Sequence, residues 1–290
     1  HGELGLRNIC SFSNGRYLSF MQHRLVELDW VGSSNDIFQI LNCRFGFHIT
    51  GDDFEPYDHK CKAKKMEEND ALDLSQFIVS YCHKKKHPII SPPRSDVKTM
   101  LDSIIDLIGS HDQKDSIIEK NGITVKKYLN ETDIDLAFII KVFNGGVTLP
   151  MEVSQNVKFS VVKNGVYYLQ AAIALHSYKV RRRNMQSRVA ELDYVIKMLL
   201  TDLVSGVERL ESWLLLGQSF GYLVEDDLIW TADKLNSLEK RKYTAFIQKK
   251  SLICYFMAIN IYFKMNNTQK LDVQPIINTL WSSFAIELYN

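Results

Sequence analysis

An aromatic pattern containing glycine, in the second half of the chain, is the feature that most constrains the fold. Residues 213–220 read Trp-Leu-Leu-Leu-Gly-Gln-Ser-Phe. Trp213, Gly217 and Phe220 recur at spacings of four and three, so they share one helical face with Leu216. Glycine on that face removes the side chain that would hold a second helix away. The pattern therefore predicts a helix that packs closely against a partner helix.

A second pattern downstream supplies the partner helix. Ser251, Tyr255 and Ala258 place small, aromatic and small residues at helical spacing. The two patterns together fit the helix pair of a tetratricopeptide repeat, W-x2-L-G-x2-Y followed by A-x3-F-x2-A. About 30 residues lie between Phe220 and Ser251, so we expect an insertion or an extended first helix. The predicted packing residues of the pair are Trp213, Leu216, Gly217, Phe220, Ser251, Tyr255 and Ala258.

Apolar residues elsewhere in the chain also recur every three to four positions. One such seam runs through Val189, Leu192, Ile196, Leu199 and Leu203. Strand-like alternation is confined to residues 157–162, where the start of a helix is the favoured alternative. Because one helix pair cannot bury its apolar face alone, we predict an all-α fold. It is an α-solenoid of stacked helix pairs, with irregular tetratricopeptide-like repeats in the C-terminal half.

A polar, glycine-containing segment at residues 145–155 is the best candidate for a boundary. We predict an N-terminal helical segment with polar loops at residues 1–149. A tetratricopeptide-like helical segment follows at residues 150–290. The two can form a continuous array within one domain.

Turn residues predict where the loops and helix ends lie. We expect polar loops at residues 51–69 and at 111–127, the latter because it contains Asn121-Gly122. Thr132 is the predicted N-cap of the next helix, and Gly145-Gly146 is predicted to stop it.

The charge balance and apolar content exclude several classes of function. Lysine and arginine total 35 against 34 acidic residues, so no overall basic excess favours nucleic acid. The most apolar run, residues 252–263, is shorter than the roughly 20 residues of a membrane span and predicts a buried helix. The five cysteines form no C-x-x-C pair, which indicates reduced thiols in an intracellular compartment.

Two cysteine–histidine pairs consist of residue types that bind metals, but their spacing in the sequence is not that of a usual metal site. They are Cys43 with His48 and His59 with Cys61. Structural zinc sites usually show closely spaced C-x2-4-C or H-x3-5-H pairs. The sequence favours a buried Cys43 on a helix and a polar loop around His59. We therefore predict no metal ligand, and the absence of a phosphate-binding loop or dinucleotide fingerprint predicts no cofactor.

The stretch Gly217-Gln-Ser-Phe-Gly221 matches G-x-S-x-G, the nucleophile elbow of α/β-hydrolases. That fold places its histidine after the serine in the chain. None of the eight histidines follows Ser219, so nothing downstream could activate it as in that fold. We therefore predict that the protein is not an enzyme. A serine hydrolase acting through Ser219 is the alternative.

Candidate binding residues follow the first helix of the repeat. Exposed acids mixed with aromatic residues suit interface anchors, and we predict a protein-binding surface at Tyr222, Glu225, Asp226, Asp227 and Trp230. A basic edge lies at Arg181, Arg182 and Arg183, at the predicted C-terminus of a helix where cations complement the dipole. Direct contact of this edge with DNA is an alternative to that structural role.

Three stretches carry a resemblance to a known family: residues 211–220, 225–236 and 249–258. The best match covers residues 187–259, and a weaker similarity lies at 36–47, where a helix ends in a Phe-Gly turn. Here the chain resembles histone transcription regulator 3, the scaffold subunit of the fungal HIR complex. Its animal counterpart is the calcineurin-binding cabin protein of the HIRA complex. Members of the family are much longer, so we expect a partial segment.

The resemblance implies a non-enzymatic scaffold in the nucleus. Members of the family hold together the WD-repeat subunits of a histone chaperone, which deposits core histones independently of replication and represses histone genes. The implied partners are the WD-repeat subunits, with core histones contacted indirectly. A helical-repeat adaptor unrelated to chromatin is the alternative. Such an adaptor would need a basic clamp for a terminal carboxylate, and the repeat offers none.

Overall fold

All regular elements that the structure describes are helices, so the all-α prediction is confirmed. The computed structural model describes residues 2–7, 9–10, 12–28, 32, 34–51, 53–108, 116–153, 157–184, 188–230 and 237–289. Side chains at positions 2, 4, 157 and 227–230 are outside this description. The tetratricopeptide-like character of the helix pairs stays a prediction.

The helices belong to two compact units. Unit 1 takes its described residues from 1–86, 93–111 and 155–166. Its helices are α1 (Gly2–Leu6), α2 (Arg16–Leu28), α3 (Ser34–Phe45), α4 (Glu68–Lys85), α5 (Ser95–Ile108) and α8 (Val157–Lys163), with a 3-10 turn at Phe12–Gly15. The candidate strand at 157–162 is thus helical, as the favoured alternative predicted.

Unit 2 takes its described residues from 87–92, 112–154 and 167–290. Its helices are α6 (Ser116–Glu131), α7 (Leu136–Phe143), α9 (Val166–Arg183, from Tyr167 onward), α10 (Val189–Leu203), α11 (Leu210–Trp230), α12 (Leu238–Lys264) and α13 (Asn267–Tyr289). The two units alternate along the sequence. The division into segments 1–149 and 150–290 stays a prediction.

Helices α11 and α12 form the closely packed pair that the aromatic pattern predicts. A Cβ atom built on Gly217 would lie 3.1 Å from the Tyr255 ring, so any side chain here would require the ring to shift by a few tenths of an ångström. A Cβ atom on Gly221, one turn after Gly217 in α11, would lie against Ser251, which is one turn before Tyr255 in α12. The two helices are therefore antiparallel. The Ser251 hydroxyl also joins them by donating to the Gly217 carbonyl at 2.9 Å.

The long spacing between the two patterns results from extended helices. Helix α11 continues to Trp230 and α12 already begins at Leu238, so the first helix is extended as one alternative predicted. The seven predicted packing residues of the pair are all buried. Trp213 packs edge-to-face on Tyr128 of α6, with ring centroids 5.8 Å apart. Helix α11 therefore contacts α6 in addition to α12.

Helix α12 contacts α6, α7, α11 and α13, and its second half lies in the interior of unit 2. This position explains its run of apolar residues at 252–263, of which 253–261 are all buried. The one polar residue in this run, Asn260, is fully buried. Its carboxamide pairs with the backbone of Val147 as another peptide group would. Its side-chain oxygen accepts from Val147 N at 2.8 Å and its amide donates to Val147 O at 2.9 Å. The segment after α7 is held on α12 by these two bonds.

Two local predictions in unit 2 are wrong. The predicted loop at 111–127 is helical from Ser116 onward, although its residues 111–115 lie outside the described ranges. Asn121 has a turn propensity that tertiary bonds override: its carboxamide donates to Glu152 O and Val204 O and accepts from Glu152 N. Thr132 is not an N-cap, because α7 begins at Leu136.

The N-cap of α7 is Asp135, whose carboxylate accepts from Phe138 N at 2.7 Å. The predicted stop at Gly145-Gly146 is confirmed, since α7 ends at Phe143 and Gly145 has a positive φ of 64°. Nowhere in the described part of the chain does a helix combine the length and apolarity needed to span a bilayer.

Candidate interaction surfaces

The predicted acidic surface and the predicted basic edge meet each other between α9 and α11. Arg182 places Nη1 2.7 Å from Oε2 of Glu225 and Nε 3.2 Å from Oδ1 of Asp226. The Tyr178 hydroxyl donates to the other oxygen of Asp226 at 2.7 Å. Each oxygen of the nearly buried Asp226 thus has a donor, as a buried carboxylate requires.

Tyr222 covers this group from the side. The Arg182 guanidinium lies 5.0 Å from the centroid of its ring, close enough for a cation–π interaction. Burial, and next the charge of Glu225, raise the pKa of the Tyr222 hydroxyl. We call Tyr178, Arg182, Tyr222, Glu225 and Asp226 the α9/α11 charge cluster.

Lys179 extends the cluster toward α13. Its ammonium donates to Oε1 of Gln218 at 2.8 Å, and Nε2 of Gln218 donates to the Ser283 hydroxyl at 3.0 Å. Burial, followed by the positive charge of Arg183, lowers the pKa of Lys179 to about 8. The polar residues of this region therefore connect three helices of unit 2 to one another.

The remaining predicted binding residues lie outside the α9/α11 charge cluster or outside the described side chains. Arg181 is paired with Glu191 at 2.7 Å, and Arg183 is exposed. The side chains of Asp227 and Trp230 lie outside the described residues. Arg182 is paired with both Glu225 and Asp226, so these three charges are engaged with one another within unit 2. Their role in binding a partner stays a prediction.

Ser219 is not on a nucleophile elbow. It lies within the continuous helix α11, fully buried, and its hydroxyl donates to the Leu215 carbonyl at 2.8 Å. The elbow requires a strand and a sharp turn before an exposed serine. The hydrolase alternative at Ser219 is therefore wrong.

The four metal-type residues of the sequence separate into two places within unit 1. His48 lies beside Glu55, with Nε2 3.5 Å from Oε1. Cys43, His59 and Cys61 do come together, and Cys10 joins them from the start of the chain. Sequence spacing could not predict this grouping, because Cys10 is 33 residues from Cys43 (43 − 10) and has no patterned neighbour.

An exposed apolar stripe on α7 is the feature that the sequence did not predict as a site. Leu136 is 72% exposed, Ile140 54% and Phe143 40%. Their spacing of four and three places them along one side of the helix. We call these three residues the α7 stripe. The signal was visible as the eight-residue stretch Leu-Ala-Phe-Ile-Ile-Lys-Val-Phe, which has a single charged residue.

The other side of α7 is anchored in the interior. Val142 is fully buried, and the Phe138 ring packs edge-to-face on Phe256 of α12 with centroids 5.6 Å apart. Phe143 itself is stacked beside Trp281 of α13 at 6.5 Å. The stripe is thus presented on a helix fixed to the core of unit 2.

These features define an all-α protein with an exposed apolar helix face. The family model described as the HIR3 helical bundle domain matches residues 84–290, and the Histone transcription regulator 3 helical domain matches residues 1–65. The chain belongs to the histone transcription regulator 3 family, so the resemblance seen in the sequence is confirmed.

Relatives described as "Histone transcription regulator 3 homolog" align along essentially all of the chain. The protein of Candida albicans is 37% identical over 100% of the chain and 18% of its own length. That of Debaryomyces hansenii is 35% identical over 100% of the chain and 16% of its own length. That of Candida glabrata is 31% identical over 99% of the chain and 18% of its own length. The chain thus spans less than a fifth of these relatives.

Proposed function

We propose that the chain is a non-enzymatic scaffold segment of a HIR- or HIRA-type histone chaperone complex. In the nucleus it binds the WD-repeat subunits and so supports replication-independent nucleosome assembly and repression of histone genes. Core histones are contacted indirectly. Membership of the histone transcription regulator 3 family supports this proposal, and the α7 stripe is the observation that carries the binding function.

The stripe suits the recognition of a folded partner. Three large apolar side chains one turn apart can insert into a groove or lie against the flank of another domain. Because α7 is anchored by Val142 and Phe138, the stripe is ordered before binding and little conformational entropy is lost on association. Apolar anchors of this size dominate the binding energy of many interfaces.

The experiment measures binding of the purified chain to each WD-repeat subunit. We expect Leu136→Glu and Ile140→Glu each to weaken the affinity at least about tenfold, or about 1.4 kcal/mol. Leu271→Glu is the matched control, since Leu271 is 71% exposed and belongs to α13, a different helix from the stripe. Circular dichroism and the melting temperature should be unchanged in all three variants.

Two outcomes would contradict the proposal. Failure of the unmodified chain to bind any WD-repeat subunit would remove the proposed partners. Wild-type affinity in both α7 variants would show that the contact lies elsewhere. A stripe covered by another part of the longer protein would appear as crosslinks from Lys141 to that part and not to a WD-repeat subunit.

A further inference from the structure

Three thiols and one imidazole converge in unit 1. Cys10 follows α1, Cys43 lies in the last turn of α3, and His59 and Cys61 belong to the segment between α3 and α4. The His59 Nδ1 atom lies 3.3 Å from Sγ of Cys10 and 3.3 Å from Sγ of Cys43. The ligand atoms of these three residues all lie within 4.8 Å of one another.

Cys61 is the candidate for a fourth donor and lies beside these three residues, outside the set whose ligand atoms are within 4.8 Å of one another. It packs against the buried group that contains Cys10 and Cys43, and its thiol interacts with both of theirs. Its Sγ also lies 3.6 Å from the His59 carbonyl oxygen. Cys10, Cys43 and His59 therefore bring ligand atoms together from three separate parts of the chain, with Cys61 next to them.

The donor set is one that zinc takes, and the two distances from His59 to the thiols are close to those of a zinc site. Three cysteines with one histidine are a ligand set of structural zinc sites, whose Zn–S and Zn–N distances are about 2.3 and 2.1 Å. Tetrahedral geometry with those lengths separates ligand atoms by about 3.6 to 3.8 Å. The 3.3 Å separations are only slightly shorter. We propose that Cys10, Cys43, His59 and Cys61 bind one Zn²⁺ ion as a structural site.

The backbone between the two loop ligands is bent toward this geometry. Lys60 has a positive φ of 52°, a conformation that is unfavourable for a residue with a side chain. The Asp58 carboxylate stabilises the turn by accepting from Lys60 N at 2.8 Å. An extended dipeptide would separate the side chains of His59 and Cys61 by about 6.6 Å. A local turn is what brings two such residues to one ion.

None of the described residues between 46 and 67 belongs to a helix or strand, and this segment carries two of the ligands. A segment of this length in a compact unit needs specific anchors. One anchor is Gln39, whose carboxamide accepts from Tyr57 N at 2.8 Å and donates to Tyr57 O at 2.9 Å. A zinc ion two residues further along would join the same segment to α3 and to the start of the chain.

Helix α1 limits the space around the histidine. A Cβ atom on Gly5 would overlap the His59 imidazole, so the ring occupies the space that a side chain at this position would fill. Gly5 therefore leaves room for the ring and is not itself one of the four proposed ligands. Gly5→Ala tests the geometry of the site without removing a ligand.

The decisive measurement is the zinc content of the 290-residue chain, purified without a histidine tag from zinc-supplemented cells. We expect about one zinc per chain by mass spectrometry of the metal, with release on chelation and a lower melting temperature. Cys43→Ser should lose most of the zinc, and Gly5→Ala should bind it more weakly. His59→Cys should retain it, because four ligands remain. Cys82→Ser is the matched control, since Cys82 is a buried thiol of α4 outside the group.

Substitution of Co²⁺ into the unmodified chain gives a second test that does not depend on folding of the variants. Three thiolate ligands should produce strong sulfur-to-cobalt charge-transfer absorption, which Zn²⁺ should abolish by displacement. The proposal is overturned if the chain binds neither ion, or if Cys43→Ser folds and keeps its zinc. It is equally overturned if the unreduced protein holds a disulfide between two of these cysteines in place of metal.

Discussion

The Nε atom of Arg182 lies 3.2 Å from Oδ1 of Asp226, where both side chains are largely removed from water. Removing Asp226 takes away one of the two carboxylates that Arg182 contacts, together with the acceptor of the bond from the Tyr178 hydroxyl. We expect Asp226→Ala to lower the free energy of unfolding by about 1–3 kcal/mol, measured by urea denaturation.

The control is the adjacent pair on the same helix. Arg181 bonds Glu191 but is 44% exposed, so Arg181→Ala should cost less than about 1 kcal/mol. Similar small losses in both variants would show that the α9/α11 charge cluster contributes little to stability.

Gly217 and Gly122 should respond to alanine in opposite directions. A Cβ at Gly217 would lie 3.1 Å from the Tyr255 ring, whereas one at Gly122 in α6 finds its nearest neighbour at 4.0 Å. We expect Gly217→Ala to destabilise by about 1–3 kcal/mol through overpacking. Gly122→Ala should stabilise by up to about 1 kcal/mol through helix propensity. Thermal unfolding of the two variants separates these effects, and a stabilising Gly217→Ala would refute the close packing of α11 on α12.

Replacement of Asn260 should release the segment that follows α7. Asn260→Leu leaves the N–H and the carbonyl of Val147 without their side-chain partners, at a cost of about 2–3 kcal/mol. Hydrogen exchange at Val147 should accelerate more than in the rest of unit 2. Asn267→Leu, an exposed change at the start of α13, should alter stability by less than about 0.5 kcal/mol. Unchanged protection at Val147 would contradict the expectation.

Lys179 should make stability depend on pH. Its pKa is lowered from 10.5 to about 8 by burial first and by Arg183 second. The folded state therefore disfavours the charged amine, and burying it lowers the stability of the protein. This loss of stability is complete below pH 8 and disappears as the pH rises to 10.5. At pH 7 we expect Lys179→Met to be more stable than wild type, by at most about 2 kcal/mol because the bond to Gln218 is lost.

The comparison of denaturation at pH 7 and pH 10 tests the sign. The advantage of Lys179→Met should shrink at the higher pH, where wild-type Lys179 becomes neutral. Lys242→Met, at an exposed position of α12, controls for the general loss of a positive charge. An advantage that grows with pH would mean that Lys179 is stabilised in its charged form.

The sequence was sufficient for the α11 and α12 pair because its information is local. Trp213, Gly217 and Tyr255 lie at helical spacings whose physical meaning does not depend on the rest of the chain. The loop predicted at Asn121 was wrong because the relevant information is not local. The propensity of Asn121 favours a turn, and only bonds to Glu152 and Val204, which are distant in sequence, make a helix the better solution.

The candidate sites depended even more on distant pairing. Charges at Arg182 and Asp226 were evident, but a sequence does not reveal that residues 44 positions apart neutralise each other (226 − 182). The α7 stripe was predicted to be helical, yet its exposure depends on which helices cover it. Cys10 could be grouped with Cys43 only once the start of the chain had been placed beside α3.

The single carboxamide of Asn121 joins segments that leave the ribosome at different times. Glu152 follows it by 31 residues and Val204 by 83. A nascent chain halted between those two points has one partner for this side chain and lacks the other. We therefore expect α6 to gain its full protection against proteases only after α10 has emerged.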